Sequence, residues 1–207
     1  MGPFDWIVAA ALLTSMIYLS FVQTVGGWIS ALRKGQAVSL LPEGQGRKRP
    51  AWLQILFVLL GLAILLPLWY FLWIPLVPLP LRMARSLQAI GLVLYLAGFA
   101  LVEWGRRTLG RYWGISTGAQ VRLLDDHELI QGGPYAFVRH PMYFGAWVLF
   151  LGLTLIYPVW AILLLFLSTV IAFAGRARRE EAALAERFGR QWVEYRRRTH
   201  YLIPFIY

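Results

Sequence analysis

Long apolar runs cut by short basic segments are the feature that most limits what this sequence can become. A helix crossing a bilayer needs about 20 consecutive apolar residues. Three segments supply them: Phe4–Leu32, Trp52–Ile74 and Leu87–Trp104. Another apolar region, Met142–Gly175, is interrupted at Tyr157-Pro158. Each of its halves has roughly 16 residues, or ~24 Å of helix, which is short for a ~30 Å hydrocarbon core. This region is read as a tight helical hairpin, giving five spans; four spans with a re-entrant hairpin is the alternative. Between the second and third spans, Pro75, Pro78 and Pro80 forbid a continuous helix and make a stiff connector. The run from Trp6 to Leu32 follows no basic n-region and exceeds a signal's apolar stretch, so it is expected to be a span.

Composition agrees with that reading. The 207 residues are 59% hydrophobic and 14% charged, against about 25% charged in a soluble domain. A chain this short cannot hide so much apolar surface in one globule, and its length suits one domain, 1–207. The expected fold class is all-α: a polytopic integral membrane protein of about five transmembrane helices, with a C-terminal amphipathic helix on the cytoplasmic side. The absence of cysteine excludes a disulfide framework, a thiolate metal site and a cysteine nucleophile.

The net charge of +10 could mark a nucleic-acid surface or the cytoplasmic anchoring of spans. Its distribution favours anchoring. The segments 33–50, 105–141 and the tail from Arg176 carry 5, 5 and 8 Lys or Arg, which is 18 of the 20. Only Arg82 and Arg85 lie elsewhere. With five spans the three basic segments share one side, and basic loops stay cytoplasmic. The N-terminus is therefore expected outside and the C-terminus in the cytoplasm, in a cell inner membrane or one of ER type.

The tail from Arg176 to Arg198 is charged yet periodic. Leu184, Phe188, Trp192 and Tyr195 share one helical face. Glu186 with Arg190, and Glu194 with Arg198, are spaced as i,i+4 pairs. The face is expected to lie on lipid headgroups, and Phe188-Gly189 marks a bend or break. Glu180 and Glu181 sit just past the last span, where an ionisable group near lipid is a functional candidate. Glu181, about 100° further round the helix, is expected on a solvated face. Arg176, one turn before Glu180, shares its face.

The chemistry-bearing block begins at Leu109. Gly132, Gly133 and Pro134 predict a turn. Arg139, His140 and Pro141 then open a helix, with Pro141 suited to its first position. Backbone N–H groups at that start lack helical partners and suit a carboxylate. Asp125 and Asp126 could hold a cation, but two adjacent acids in a polar loop read as solvated, and no metal site is expected.

Two motifs stand in this half of the chain: GPY-x-x-x-RHPMY-x-G, and R-x-x-x-EE-x-x-L-x-x-x-FG-x-x-W-x-x-Y. Together they resemble the isoprenylcysteine carboxyl methyltransferases and the related membrane phospholipid methyltransferases, over Leu109 to Phe205. The resemblance implies an integral-membrane methyltransferase using S-adenosylmethionine on a lipid-like acceptor, foremost the carboxyl group of a prenylated cysteine. Residues 1–105 would then hold three N-terminal spans and 106–207 the cofactor-binding region. Carried over by position, the cofactor contacts would be Gln120, His127, Glu128, Leu129, Ile130, Tyr135, His140, Pro141, Met142, Tyr143 and Glu180. Arg176 would meet the acceptor, making Arg176 and Glu180 the catalytic pair; a simple Arg–Glu helix pair is the competing reading. HELIQGGPY, residues 127–135, fits the family's pattern, whereas Gln120 is matched by spacing alone.

A carboxylate acceptor is already a nucleophile and needs only to be held in line with the donor. An amine acceptor must first lose a proton, and no base stands out for it. The rival readings are a phospholipid or amine N-methyltransferase, a methyltransferase for another small hydrophobic thiol or acid, a non-catalytic membrane adaptor, and an NADPH-dependent sterol-type reductase, whose known members are much longer. A transporter is disfavoured, because no span carries a charged or broken midplane site. The expected partners are membrane lipids and a lipid or prenylated substrate, not nucleic acid.

Overall fold

The structure, a computed structural model, describes residues 3–18, 56, 59–60, 63–64, 67, 70–112 and 128–203. The chain divides into two compact units, Met1–Gly61 and Leu62–Tyr207. The first contains helix α1, Pro3–Tyr18. It is apolar, with Trp6, Ile7 and Leu13 exposed and Val8 buried. Ser15 does not break it, because its hydroxyl donates back to Ala11 O at 2.8 Å. The remainder of the expected first span lies outside the described residues, as do Gln120 and His127.

The second unit holds α2 (Leu81–Leu109), α3 (Pro141–Ile156), α4 (Trp160–Phe188) and α5 (Arg190–Arg198). Among the described residues there is no strand, only two isolated bridges. Helices α2 and α4 are long and apolar enough to cross a membrane. On α4 the exposed residues Trp160, Leu164, Leu167 and Ile171 form one helical stripe, a surface whose natural solvent is hydrocarbon.

Two boundaries differ from the sequence expectation. Helix α2 begins at Leu81 rather than Leu87, directly after Pro80. Arg82, Arg85, Ser86 and Gln88 depress the hydropathy there without disturbing the helix, since long polar side chains are good helix formers. The second arm of the hairpin is no short half-span either. It continues through the charged tail as one 29-residue helix, so Arg176, Glu180 and Glu181 are fixed rigidly to the apolar stretch. The break expected at Phe188-Gly189 is present: Gly189 takes φ +47° and its N–H bonds Ala185 O at 3.0 Å. Arg190 therefore pairs with Glu194 at 3.2 Å instead of reaching back across the break to Glu186.

Glycines set how closely α2 and α3 approach. Gly91 and Gly98 lie seven residues apart on α2, as do Gly145 and Gly152 on α3. Seven residues is nearly two turns, so each pair lies on one face. A Cβ added at Gly152 would stand 2.6 Å from Gly91 O, and one at Gly98 would stand 2.5 Å from Gly145 O. The helices are thus antiparallel and in backbone contact.

At the far end, the Pro-rich connector hydrogen-bonds to the hairpin turn. Leu76 N–H donates to Pro158 O at 2.8 Å, Trp160 N–H to Ile74 O at 3.1 Å, and Ala161 N–H to Leu72 O at 3.0 Å. The connector and the hairpin turn therefore share one end of the unit. The start of α3, the end of α2 and the charged half of α4 share the other.

Candidate functional site

At that second end the chain folds a loop over the helix termini. Gly133, at φ +57°, starts a 3-10 turn, Gly133–Ala136, in the place the sequence predicts. A side chain there would strike Thr108 Oγ1 at 2.7 Å and Trp104 Nε1 at 3.2 Å, so glycine is required both by the left-handed backbone and by the approach to α2. Tyr135 follows and is buried. Burial first, and then the neighbouring Tyr195 phenol and Glu180 carboxylate, push its phenol well above its ordinary value, so it stays neutral. His140 stands at the N-cap position of α3 without a side-chain capping bond, and Pro141 opens the helix, as predicted.

His140 and Tyr143 lie three residues apart on α3, which stacks their rings at 5.5 Å and 10°. Tyr143 stacks in turn on Phe173 of α4, at 5.0 Å and 18°. The Tyr143 hydroxyl donates to Glu180 Oε1 at 2.6 Å, and Arg176 Nε donates to the same oxygen at 2.9 Å. The other oxygen, Oε2, lies 3.6 Å from His140 Nδ1, beyond a formed hydrogen bond. One carboxylate is thus aimed by two donors while its second oxygen keeps acceptor capacity. His140 Nε2 is buried and makes no hydrogen bond; Glu181 Oε1 approaches it only to 3.5 Å.

Glu181 is not on a solvated face. It is half-buried, and Arg139 Nε donates to its Oε1 at 2.6 Å. The 100° step carries it toward the Arg139 loop rather than to water, because that loop folds over this face of α4. The tail face is likewise not spent on lipid headgroups. Trp192 and Tyr195 are buried in protein, and the Tyr195 hydroxyl donates to Tyr135 O at 2.8 Å. Past α5 the chain runs beside the loop, with Arg139 N–H on His200 O at 2.9 Å and His200 N–H on Phe137 O at 3.0 Å.

Of the residues singled out in the sequence, the structure brings together His140, Tyr143, Arg176 and Glu180. Tyr135 and Met142 pack nearby against Gly105, where an added Cβ would meet Met142 Cγ at 2.6 Å and the Tyr135 hydroxyl at 3.6 Å. Pro141 is fully buried and contributes shape. Leu129 and Ile130 are half-buried and Glu128 is exposed; next to them, Gln131 accepts a bond from Arg198 at 3.1 Å. Sequence reasoning missed Glu181 and Phe173 as neighbours of this cluster and gave Arg139 no role beyond opening the helix. No group of three or more His, Asp or Glu suited to a metal occurs among the described residues.

The family model for phospholipid methyltransferases matches residues 87–191, from α2 into α5. The protein-S-isoprenylcysteine O-methyltransferase of Saccharomyces cerevisiae is 35% identical over 83 residues, 39% of this chain and 34% of that protein. Its Schizosaccharomyces pombe counterpart is 39% identical over 83 residues, 39% of this chain and 35% of that protein. The Rattus norvegicus counterpart is 29% identical over 128 residues, 61% of this chain and 44% of that protein. The matches thus span between about a third and under a half of these relatives' length. Among solved structures, a eukaryotic intramembrane Ras methyltransferase, an isoprenylcysteine carboxyl methyltransferase, superposes with a TM-score of 0.54 at 22% identity. That superposition covers 97% of this chain and 74% of the other, and shows a common fold.

Proposed function

The chain belongs to the phospholipid methyltransferase family, and from that premise we propose that it is an integral-membrane methyltransferase carrying a methyl group from S-adenosylmethionine to the carboxylate of a prenylated cysteine. The observation that carries the proposal is the convergence of His140, Tyr143, Arg176 and Glu180 where an apolar helix turns charged. A lipid-borne headgroup and a water-soluble donor can both reach such a place.

The residues fit such a donor. Glu180 Oε2 has acceptor capacity for an ammonium group, and the buried His140 Nε2 makes no hydrogen bond within the protein. Bound there, adenosylmethionine would supply an electrophilic methyl on its sulfonium. Glu180, His140 and Tyr143 would hold it, Tyr135 and Met142 would shape the wall, and Pro141 would fix the helix start. Glu128, Leu129 and Ile130 would complete the enclosure, and Gln120 and His127, outside the described residues, are assigned to the donor by the resemblance alone. Arg176 would orient the acceptor carboxylate, whose lone pair needs no base, so positioning supplies the rate. The whole chain would act as one membrane domain of five spans, with residues 106–207 binding the donor, the N-terminus outside and this site in the cytoplasm.

The test is transfer by the purified full chain in lipid nanodiscs, using methyl-labelled adenosylmethionine. N-acetyl-farnesylcysteine and phosphatidylethanolamine are offered in separate arms, and products are identified by mass. A base-labile methyl ester on the farnesylcysteine is expected. Label on the amine would reassign the acceptor to a phospholipid. No transfer in either arm, with no calorimetric binding of the donor, would overturn the proposal.

A further inference from the structure

Arg139 bonds both α4 and the C-terminal segment at this end of the molecule, and the mechanism above does not use it. It is buried, with 8% of its surface exposed. Its Nε donates to Glu181 Oε1 at 2.6 Å, and its Nη1 donates to Thr199 O at 2.6 Å and to Arg196 O at 3.3 Å. Its guanidinium carbon lies 5.5 Å from the centre of the Tyr201 ring, and that ring meets His140 edge-on at 5.5 Å. The two carbonyls belong to the last turn of α5 and the residue capping it, where a cation complements the helix dipole. One guanidinium therefore closes the C-terminal segment over the site and neutralises Glu181.

Glu181 Oε1 has two candidate donors, Arg139 Nε at 2.6 Å and His140 Nε2 at 3.5 Å. While Arg139 is present, the shorter charge-assisted bond holds the carboxylate, and His140 Nε2 stays unbonded. Without it, a half-buried carboxylate would be left unpaired, a costly state. The nearest donor group is the imidazole. Closing that 3.5 Å gap to a hydrogen bond would engage His140 Nε2 with Glu181.

We propose that Arg139 is a positioning residue: by occupying Glu181 and latching the C-terminal segment, it keeps His140 Nε2 free for the methyl donor. The proposal rests on the donor-site reading above. It predicts a specific rescue, because the harm done by losing Arg139 comes from Glu181 capturing His140, and removing the Glu181 charge removes the captor.

The experiment measures donor affinity by calorimetry, and donor KM and kcat, on the full chain in nanodiscs. The variants are Arg139→Gln, Arg139→Lys, Glu181→Gln and the Arg139→Gln/Glu181→Gln double. Arg139→Gln is expected to weaken donor binding about tenfold or more, the effect of one charge-assisted contact, while kcat at saturating donor changes far less. Arg139→Lys should recover part of the affinity, since lysine keeps the charge but loses the fork. The double variant should bind the donor more tightly than Arg139→Gln alone. A purely structural Arg139 would lower the active fraction at unchanged KM, and Glu181→Gln would not repair it. Wild-type affinity in Arg139→Gln, or a double variant no better than that single one, overturns the inference. Should Arg139→Gln not fold, Arg139→Lys with and without Glu181→Gln gives the same reading. Failure of the wild-type chain to bind the donor would instead sink the donor-site reading, and this inference with it.

Discussion

Substituting Gly98 by alanine tests whether backbone contact between α2 and α3 holds the site's scaffold together. In an unpacked helix the change should help, since glycine costs roughly 0.5–1 kcal/mol relative to alanine. At Gly98 the new methyl would stand 2.5 Å from Gly145 O and closer still to the backbone of Leu149. Those atoms are main chain and cannot swing aside. Reaching an ordinary contact of about 3.4 Å requires the helices to part by roughly 0.9 Å. A radial gap of about 0.5–1 Å forfeits a quarter to a half of each dispersion contact along the interface, and overpacking of this kind typically costs about 1–3 kcal/mol. Gly98→Ala should therefore destabilise by about 1–2 kcal/mol after the propensity gain is subtracted. Gly175 is the control: it lies in α4, and a Cβ there meets nothing within 4 Å. Gly175→Ala should be neutral or stabilising by up to about 1 kcal/mol. Thermal unfolding of the three proteins in one detergent reads the difference. Gly98→Ala melting at or above wild type, or both variants shifting alike, would refute the close-contact argument.

Three further outcomes follow from the site and the proposed topology. Tyr143→Phe removes one of the two donors that aim Glu180 and should weaken adenosylmethionine binding about tenfold; unchanged calorimetric affinity would remove Tyr143 from the donor site. Arg176→Ala also removes a donor to Glu180, so donor affinity should fall about tenfold as with Tyr143→Phe, while methyl transfer at saturating donor falls far more steeply, with Arg176→Lys restoring only part. As a mere helix pair, Arg176 and Glu180 would be worth only about 0.3–0.5 kcal/mol, so near-wild-type turnover would reject the acceptor role. Reporter fusions at Leu79 and Tyr207 should report opposite faces of the membrane, and the same face for both would end the five-span proposal.

The sequence made the helical class legible, because apolar runs, prolines and glycines are local signals. Pro80 and Gly110 bound α2, Pro141 opens α3, and Gly189 ends α4. Hydropathy, however, reports where lipid begins and ends, not where a helix does. Hydropathy therefore excludes Leu81–Ser86 from a span and separates the charged half of α4 from its apolar half. The glycines at 91, 98, 145 and 152 were equally visible but were averaged into apolar stretches. Their seven-residue spacing is the signal that two backbones approach closely.

The site was legible as residue types at the ends of helices, but not as a network. Helical spacing places Arg176 beside Glu180, and His140 beside Tyr143. It cannot show that Tyr143 reaches across to Glu180, because that contact needs the crossing of α3 and α4. Glu181 shows the limit most clearly. Rotation by about 100° from Glu180 was a correct inference, yet solvation did not follow from it, because the Arg139 loop and the C-terminal segment supply the other wall. In the phrase Arg139-His140-Pro141, the proline sets the helix start and the histidine stands just before it. The arginine is explained by groups 42, 57 and 60 residues away. A buried guanidinium that bonds a carboxylate and two helix-end carbonyls fixes three segments with one side chain, and sequence spacing alone cannot reveal a residue of that kind.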